Sequence, residues 1–318
     1  MASTKIAMIE ARRNKKDSER IHRLIVKLVS LVGSEETTSQ LVPYGDRAVK
    51  ALKEYLLKGK PGSVYQPRQR AVFALAALGA RDVLIEYLRM PQEIVDPVVR
   101  FAEEAVQSSA ARELVRWKDE ETFRFLMKFS IKKRLTGALE ALSEFQRPES
   151  APVFIAAIED DYYRPAGEKG LRKLGDAAKP YLIRAALTPS IDEGDELLRS
   201  VQRRQTALSL LADTHITKED WQILRVILSD KHPEIAAGIG TISAQVAPKK
   251  DRERAARQII SVYPAADYWW TIMELETCLM RLQPEAAVAI DYALKRDALK
   301  NNSEAMKRLA RIRKKMRL

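Results

Sequence analysis

From about residue 20 to residue 250, leucines and alanines recur every three or four positions, with charged residues filling the places between. That spacing predicts a succession of amphipathic helices. Residues 170–187, GLRKLGDAAKPYLIRAAL, show how the runs are punctuated: Leu174 closes one apolar run, Gly175 stops it, and Asp176 with Pro180 opens the next. Similar punctuation occurs in YGDRAVKALKEYLL, LGARDVLIEYL, AVQSSAARELVRW, LSEFQRPESAPVFIAAI and LADTHITKEDWQILRVIL. The last apolar residues before the breaks are Tyr44, Leu78, Val106, Leu142, Leu174, Leu211 and Val246, spaced 34, 28, 36, 32, 37 and 35 residues apart. This is the period of a repeated helix-turn-helix unit. In the helix before the break the apolar positions include Ala71, Leu75 and Leu78 in one copy, Leu135, Ala138 and Leu142 in another, and Ala207, Leu210 and Leu211 in a third. One unit alone cannot bury such a stripe, so neighbouring units are expected to stack.

The helix ending in A-L-x-x-L-G, followed by D/A-x-A-x-x-x-L-I-x-x-L, resembles the HEAT-repeat family, including the short HEAT-like repeats of phycobilisome lyases. VFALAALGARDVLIEYL and GLRKLGDAAKPYLIRAAL carry the resemblance. It implies an all-α fold, a right-handed α-solenoid of stacked antiparallel helix pairs. Residues 1–250 are read as this solenoid with a basic N-terminal helix, and residues 251–318 as a divergent helical cap with a basic tail. Fold does not dictate function here, because such solenoids serve as scaffolds, adaptors, nucleic-acid binders and occasionally enzymes.

Composition agrees with a folded helical chain: 46% of the 318 residues are hydrophobic, only 7% are aromatic, and little or no sheet is expected. The N-terminus lacks the apolar core of a signal peptide, and the longest apolar run, AVFALAALGA, is about half a membrane span. The single cysteine, Cys278, excludes a disulfide framework within the chain, so a soluble protein in a reducing cytoplasm is expected. The net charge of +12 is unevenly placed. Residues 1–23 contribute +4 and residues 307–318 contribute +7, which leaves +1 for everything between.

Enzyme signatures are sparse. His22, His215 and His232 stand far apart with no second ligand at metal-binding spacing, and Cys278 lies in the apolar stretch TIMELETCLMRL. GIGTIS at Gly238 has two of the three glycines of a dinucleotide fingerprint but follows a helical stretch instead of a strand. The expectation is no catalytic residue, no cofactor and no metal. The alkylpurine DNA glycosylases with HEAT-like repeats hold damaged DNA on a face bearing tryptophan, aspartate and basic residues. Trp117 near Asp119, and Asp267 near Trp269, do not match that arrangement closely enough for residues to be carried over.

Charge along the repeat points to binding. Acidic turns recur at Glu93 and Asp96, at Glu159 to Asp161, at Asp192 to Glu196, and at Asp230 and Glu234. Arg70, Arg134 and Arg203 each stand eight residues before the marker leucines Leu78, Leu142 and Leu211, predicting a basic ladder on the inner surface. Arg68, Arg100, Arg204, Lys133, Lys169 and Lys173 widen the strip, or each arginine pairs with an acid of the adjacent unit. A second candidate is the tail, with Arg311, Arg313, Lys314, Lys315 and Arg317 around an apolar stripe. The function expected is a non-enzymatic interaction module that binds a protein with an acidic surface along its concave face. The alternative is a nucleic-acid-binding protein, with or without glycosylase-like chemistry.

Overall fold

Leucine-rich runs separated by Gly, Asp and Pro produce helices at nearly every predicted place in the computed structural model, which describes residues 2–30, 35–91, 93–295 and 302–316. The protein is all-α, and the one sheet among the described residues is a two-stranded hairpin. The chain divides into two compact units, 1–146 and 147–318.

In the first unit the helices are α1 (Ala2–Val29), α2 (Glu35–Leu41), α3 (Gly45–Lys58), α4 (Gln66–Ala77), α5 (Arg81–Arg89), α6 (Pro97–Glu113), α7 (Glu120–Lys132) and α8 (Thr136–Phe145). Helix α6 packs between α4 and α8, while α3 and α5 pack on α4, and α7 packs on α8. The faces that meet are lined by small and branched residues: Ala71, Val72, Ala74 and Leu75 of α4, Val106 and Ala110 of α6, and Ala138, Leu139 and Leu142 of α8 are all fully buried.

The second unit holds α9 (Ala151–Ala157), α10 (Arg164–Leu174), α11 (Lys179–Leu187), β1 (Ile191–Asp192), β2 (Asp195–Glu196), α12 (Leu198–Ala212), α13 (Lys218–Leu224), α14 (Pro233–Val246), α15 (Lys249–Val262), α16 (Trp269–Arg281), α17 (Glu285–Lys295) and α18 (Ser303–Lys315). Helix α14 packs between α12 and α16, with α11 on α12, α15 on α14, and α17 on α15. The acidic segment read as a turn, 192–196, forms the hairpin, with Ile191 opposite Glu196 and positive φ at Glu193 and Gly194. No helix among the described residues is long and apolar enough to cross a membrane.

Several predicted breaks fall where expected, and the glycines explain why. Gly45 and Gly175, each followed by Asp, adopt nearly the same conformation, φ 49°, ψ −131° and φ 57°, ψ −134°. Side chains with a Cβ avoid that region, so glycine lets α10 turn into α11 through one tight 3₁₀ corner. The backbone is not the left-handed helical cap that such a glycine usually supplies. Two expectations need correction. Val106 lies mid-helix in α6, because SSAARE continues the helical run to Glu113. The break near Ser143 comes later, at Gln146 with φ 52°. The boundary placed after residue 250 falls inside the first turn of α15, a helix that packs on α14.

Candidate docking surfaces

The arginines predicted to form a strip have mostly structural partners. In the first unit Arg68 is buried on α4, donating to the Glu103 carboxylate at 2.9 Å through two nitrogens and to the carbonyls of Leu56 and Gly59 at the end of α3. Tyr87 donates to the same carboxylate at 2.5 Å, and burial followed by the negative charge of Glu103 pushes its phenol far above the usual range. Arg70 donates to the carbonyls of Leu28 and Ser30 at the end of α1.

The second unit repeats the device. Arg203 binds Glu159 and the carbonyl of Thr188, and Arg204 binds Glu196, Asp230 and the carbonyl of Ala186 at the end of α11. Carbonyls in a helix's last turn lack an intrahelical donor, so a buried guanidinium satisfies them while its charge is matched by a carboxylate. Arg68, Arg203 and Arg204 are at most 8% exposed. They hold the fold and leave no charge for a ligand. The equal eight-residue offset does not give equal surroundings: Arg134 stands in the loop before α8, part-exposed and engaged with neighbours. Arg100 and Lys169 are exposed, Lys133 donates to Gln107 at 2.6 Å, and Lys173 has an interaction of its own. On α18, Arg313 binds both oxygens of Asp291, whereas Arg311, Lys314 and Lys315 are exposed. Arg317 lies outside the described residues.

The sparse enzyme signatures also have structural partners. Asp119 caps α7 by accepting from the Thr122 amide at 2.8 Å and faces Arg81 at 3.4 Å. Cys278 is buried beneath α14, and burial pushes its thiol up to about 11. Gly238 and Gly240 of GIGTIS let helices approach. A Cβ at Gly238 would stand 2.8 Å from Leu208 Cβ, and one at Gly240 would stand 2.6 Å from Cys278 Sγ. Among the described residues no group of three or more His, Cys, Asp and Glu side chains is placed to hold a metal ion.

Each unit carries clefts, and one in each combines aromatic side chains with charged ones. The first, of about 870 Å³, runs between α5 and α7. Helix α7 buries Phe123, Leu126 and Ser130 on one side and turns Phe125, Phe129 and Ile131 outward over Ile85 and Leu88. Ile131 is 72% exposed. Phe125 and Phe129 stack with centroids 5.9 Å apart, and the Arg89 guanidinium lies 5.4 Å above the Phe125 ring. Both rim acids are engaged, Glu120 by Arg124 and Glu121 by Arg81. The exposed cations Arg89, Lys128 and Lys132 make the margin positive.

The second cleft, of about 740 Å³, lies across α12, α14 and α16 and is lined by Gln205, Glu234, Trp269, Trp270 and Glu274. Trp269 is 66% exposed and meets Trp270 edge-on at 6.0 Å; Tyr268 stacks on Trp270 at 4.6 Å and fixes its ring. Thr271 donates to Glu234, and Gln205 donates to Glu274, each at 3.3 Å. Partial burial, opposed by that Gln205 hydrogen bond, and the nearby Glu234 carboxylate hold Glu274 above the ordinary carboxylate range.

Fold and surfaces together define an all-α protein with an apolar, cation-rimmed groove and an aromatic, carboxylate-lined cleft. No family model matches the chain, and no curated protein matches its sequence.

Proposed function

We propose that this chain is a non-enzymatic, cytoplasmic interaction module of the HEAT-like, right-handed α-solenoid type, and that it binds a protein partner. The observation that carries the reading is the groove between α5 and α7. Apolar residues left open to water as a contiguous surface mark an interaction site, and α7 has a second apolar face on which Phe125 and Phe129 are part-covered by α5 and Ile131 is exposed. An amphipathic helix with acidic flanks fits the groove, its apolar stripe on Phe125, Phe129 and Ile131 and its carboxylates against Arg89, Lys128 and Lys132. This agrees with the acidic partner expected from the sequence but moves the docking surface off the arginine strip.

A fluorescent helical peptide with a leucine stripe and glutamate flanks is expected to bind, more weakly at high salt. Phe129→Asp with Ile131→Asp should abolish binding while far-UV circular dichroism and cooperative unfolding stay unchanged. Undiminished binding to that variant would overturn the assignment.

The exposed cations Arg311, Lys314 and Lys315 support the second reading, nucleic-acid binding through α18. A gel shift with generic DNA and RNA that weakens steeply with salt and disappears when residues 307–318 are deleted would favour it.

A further inference from the structure

We infer that the cleft of the second unit is a binding site for a cationic side chain, the arginine or lysine of a basic protein segment, held between Trp269, Trp270 and the carboxylates of Glu234 and Glu274. The site lies wholly within residues 147–318 and stands independently of the groove on α5 and α7.

Two observations converge on it, and a third sets how its ligand must bind. First, the spacing of α16 puts Trp270 and Glu274 four residues apart on one face, with Met273 beside them, so an aromatic wall and a carboxylate open into the same cleft. Trp269 and Trp270 stand at 77° to each other, giving two walls at a near-right angle. A cation over an indole face is attracted by the ring's quadrupole, and tryptophan is the best of the side chains for this. Second, neither Glu234 nor Glu274 has an ion-pair partner among the described residues, although Arg281, two turns further along α16, also lines the cleft. Gln205 and Thr271 supply single neutral hydrogen bonds at 3.3 Å, whereas Asp213 and Arg164, which also line the cleft, pair with Arg172 and Asp161. Glu234 and Glu274 repel one another, and a positive ligand relieves that repulsion. A neutral ligand such as a sugar would stack on the tryptophans and leave it in place. Third, the chain carries +12 overall, so long-range electrostatics oppose a polycation. A basic peptide that binds must do so through local contacts.

The carboxylates also set the expected pH dependence. Because Glu274 holds its proton to higher pH than an ordinary glutamate, affinity should fall as pH is lowered through and just above the usual carboxylate range.

The test uses the full chain and a short fluorescent arginine-rich peptide, with its citrulline counterpart as neutral isostere. Anisotropy titration should show binding of the arginine peptide and about tenfold or weaker binding of the citrulline one. Trp269→Ala and Glu274→Gln should each reduce affinity about tenfold, and the melting temperature should remain near that of the unaltered protein. Should a variant unfold, the pH titration of the unaltered protein decides: affinity lost on acidification supports the site, and affinity independent of pH overturns it. Equal binding of the citrulline peptide, unchanged affinity in both variants, or capture of a single-stranded oligonucleotide that Trp269→Ala abolishes would each overturn the proposal.

Discussion

The groove of the first unit and the cleft of the second are similar in size and opposite in character. On α5 and α7 the rim acids are paired and cations are left over; in the cleft across α12, α14 and α16 the lining Arg164 is paired and Glu234 and Glu274 are left without an ion pair, with Arg281 at the same cleft. The difference shows that a sequence's charge total says little about a surface. What a surface offers is the charge that remains after internal pairing, and the two clefts are left with different signs.

The comparison depends on buried arginines being structural and rim charges being free. Its severest test is Arg204→Ala, which strands Glu196, Asp230 and the Ala186 carbonyl in a buried site. A loss of about 3 to 5 kcal/mol in urea unfolding is expected, whereas Lys128→Ala on the groove rim should change stability by less than about 0.5 kcal/mol. Comparable effects from the two would remove the distinction.

Gly238→Val comes next, because its side chain would collide with Leu208 and push α14 from α12. The expected cost is about 1 to 3 kcal/mol, with arginine-peptide binding to the cleft weakened and helical-peptide binding to the groove intact.

Gly175→Val separates conformation from packing. No atom stands within 4 Å of its would-be Cβ, so the whole cost, about 1 to 2 kcal/mol, comes from the positive φ. Gly62→Ala, with the same open space and no positive φ, should be neutral.

The smallest effect is in pH. Glu274 has a raised folded pKa, so the folded state binds the proton more tightly than the unfolded one, and stability falls as pH rises from the usual glutamate value through the raised one. Glu285 and Asp220 behave oppositely. Burial raises each, but the Arg252 hydrogen bond for Glu285, and the Thr217 cap with Lys179 for Asp220, outweigh it and hold both low. Their contribution is present above the ordinary value and disappears as pH falls through the depressed one. Melting temperature against pH for Glu274→Gln should therefore lose the first slope and keep the second.

The helices, most of their ends and the glycine corners were legible in the sequence because each depends on local spacing and backbone preference. Val106 was misread because AVQSSAARE contains serines, which start helices in one context and are tolerated inside them in another. For the arginines the sequence left two readings open, a free strip or pairing with acids, and Arg68, Arg203 and Arg204 are paired. Periodicity places Arg68, Arg203 and Arg204 on helices, but their partners Glu103, Glu159 and Asp230 lie 26 to 44 residues away, beyond any local pattern. The groove left a trace that went unused: TFRFLMKFSI carries more apolar residues than one buried face of a helix requires. The cleft left less, since Trp269 reads equally as core until its 66% exposure is seen.

The lone thiol of Cys278, closed under α14 and drawn to Thr241 at 3.7 Å, has a practical consequence. A reagent that needs an open thiolate reacts only in the moments when α14 and α16 part, so its labelling rate is a clock for that opening. With one cysteine in the chain the signal has one source. A ligand seated across α14 and α16 should slow the clock, whereas a ligand confined to the first unit should leave it running at its own pace.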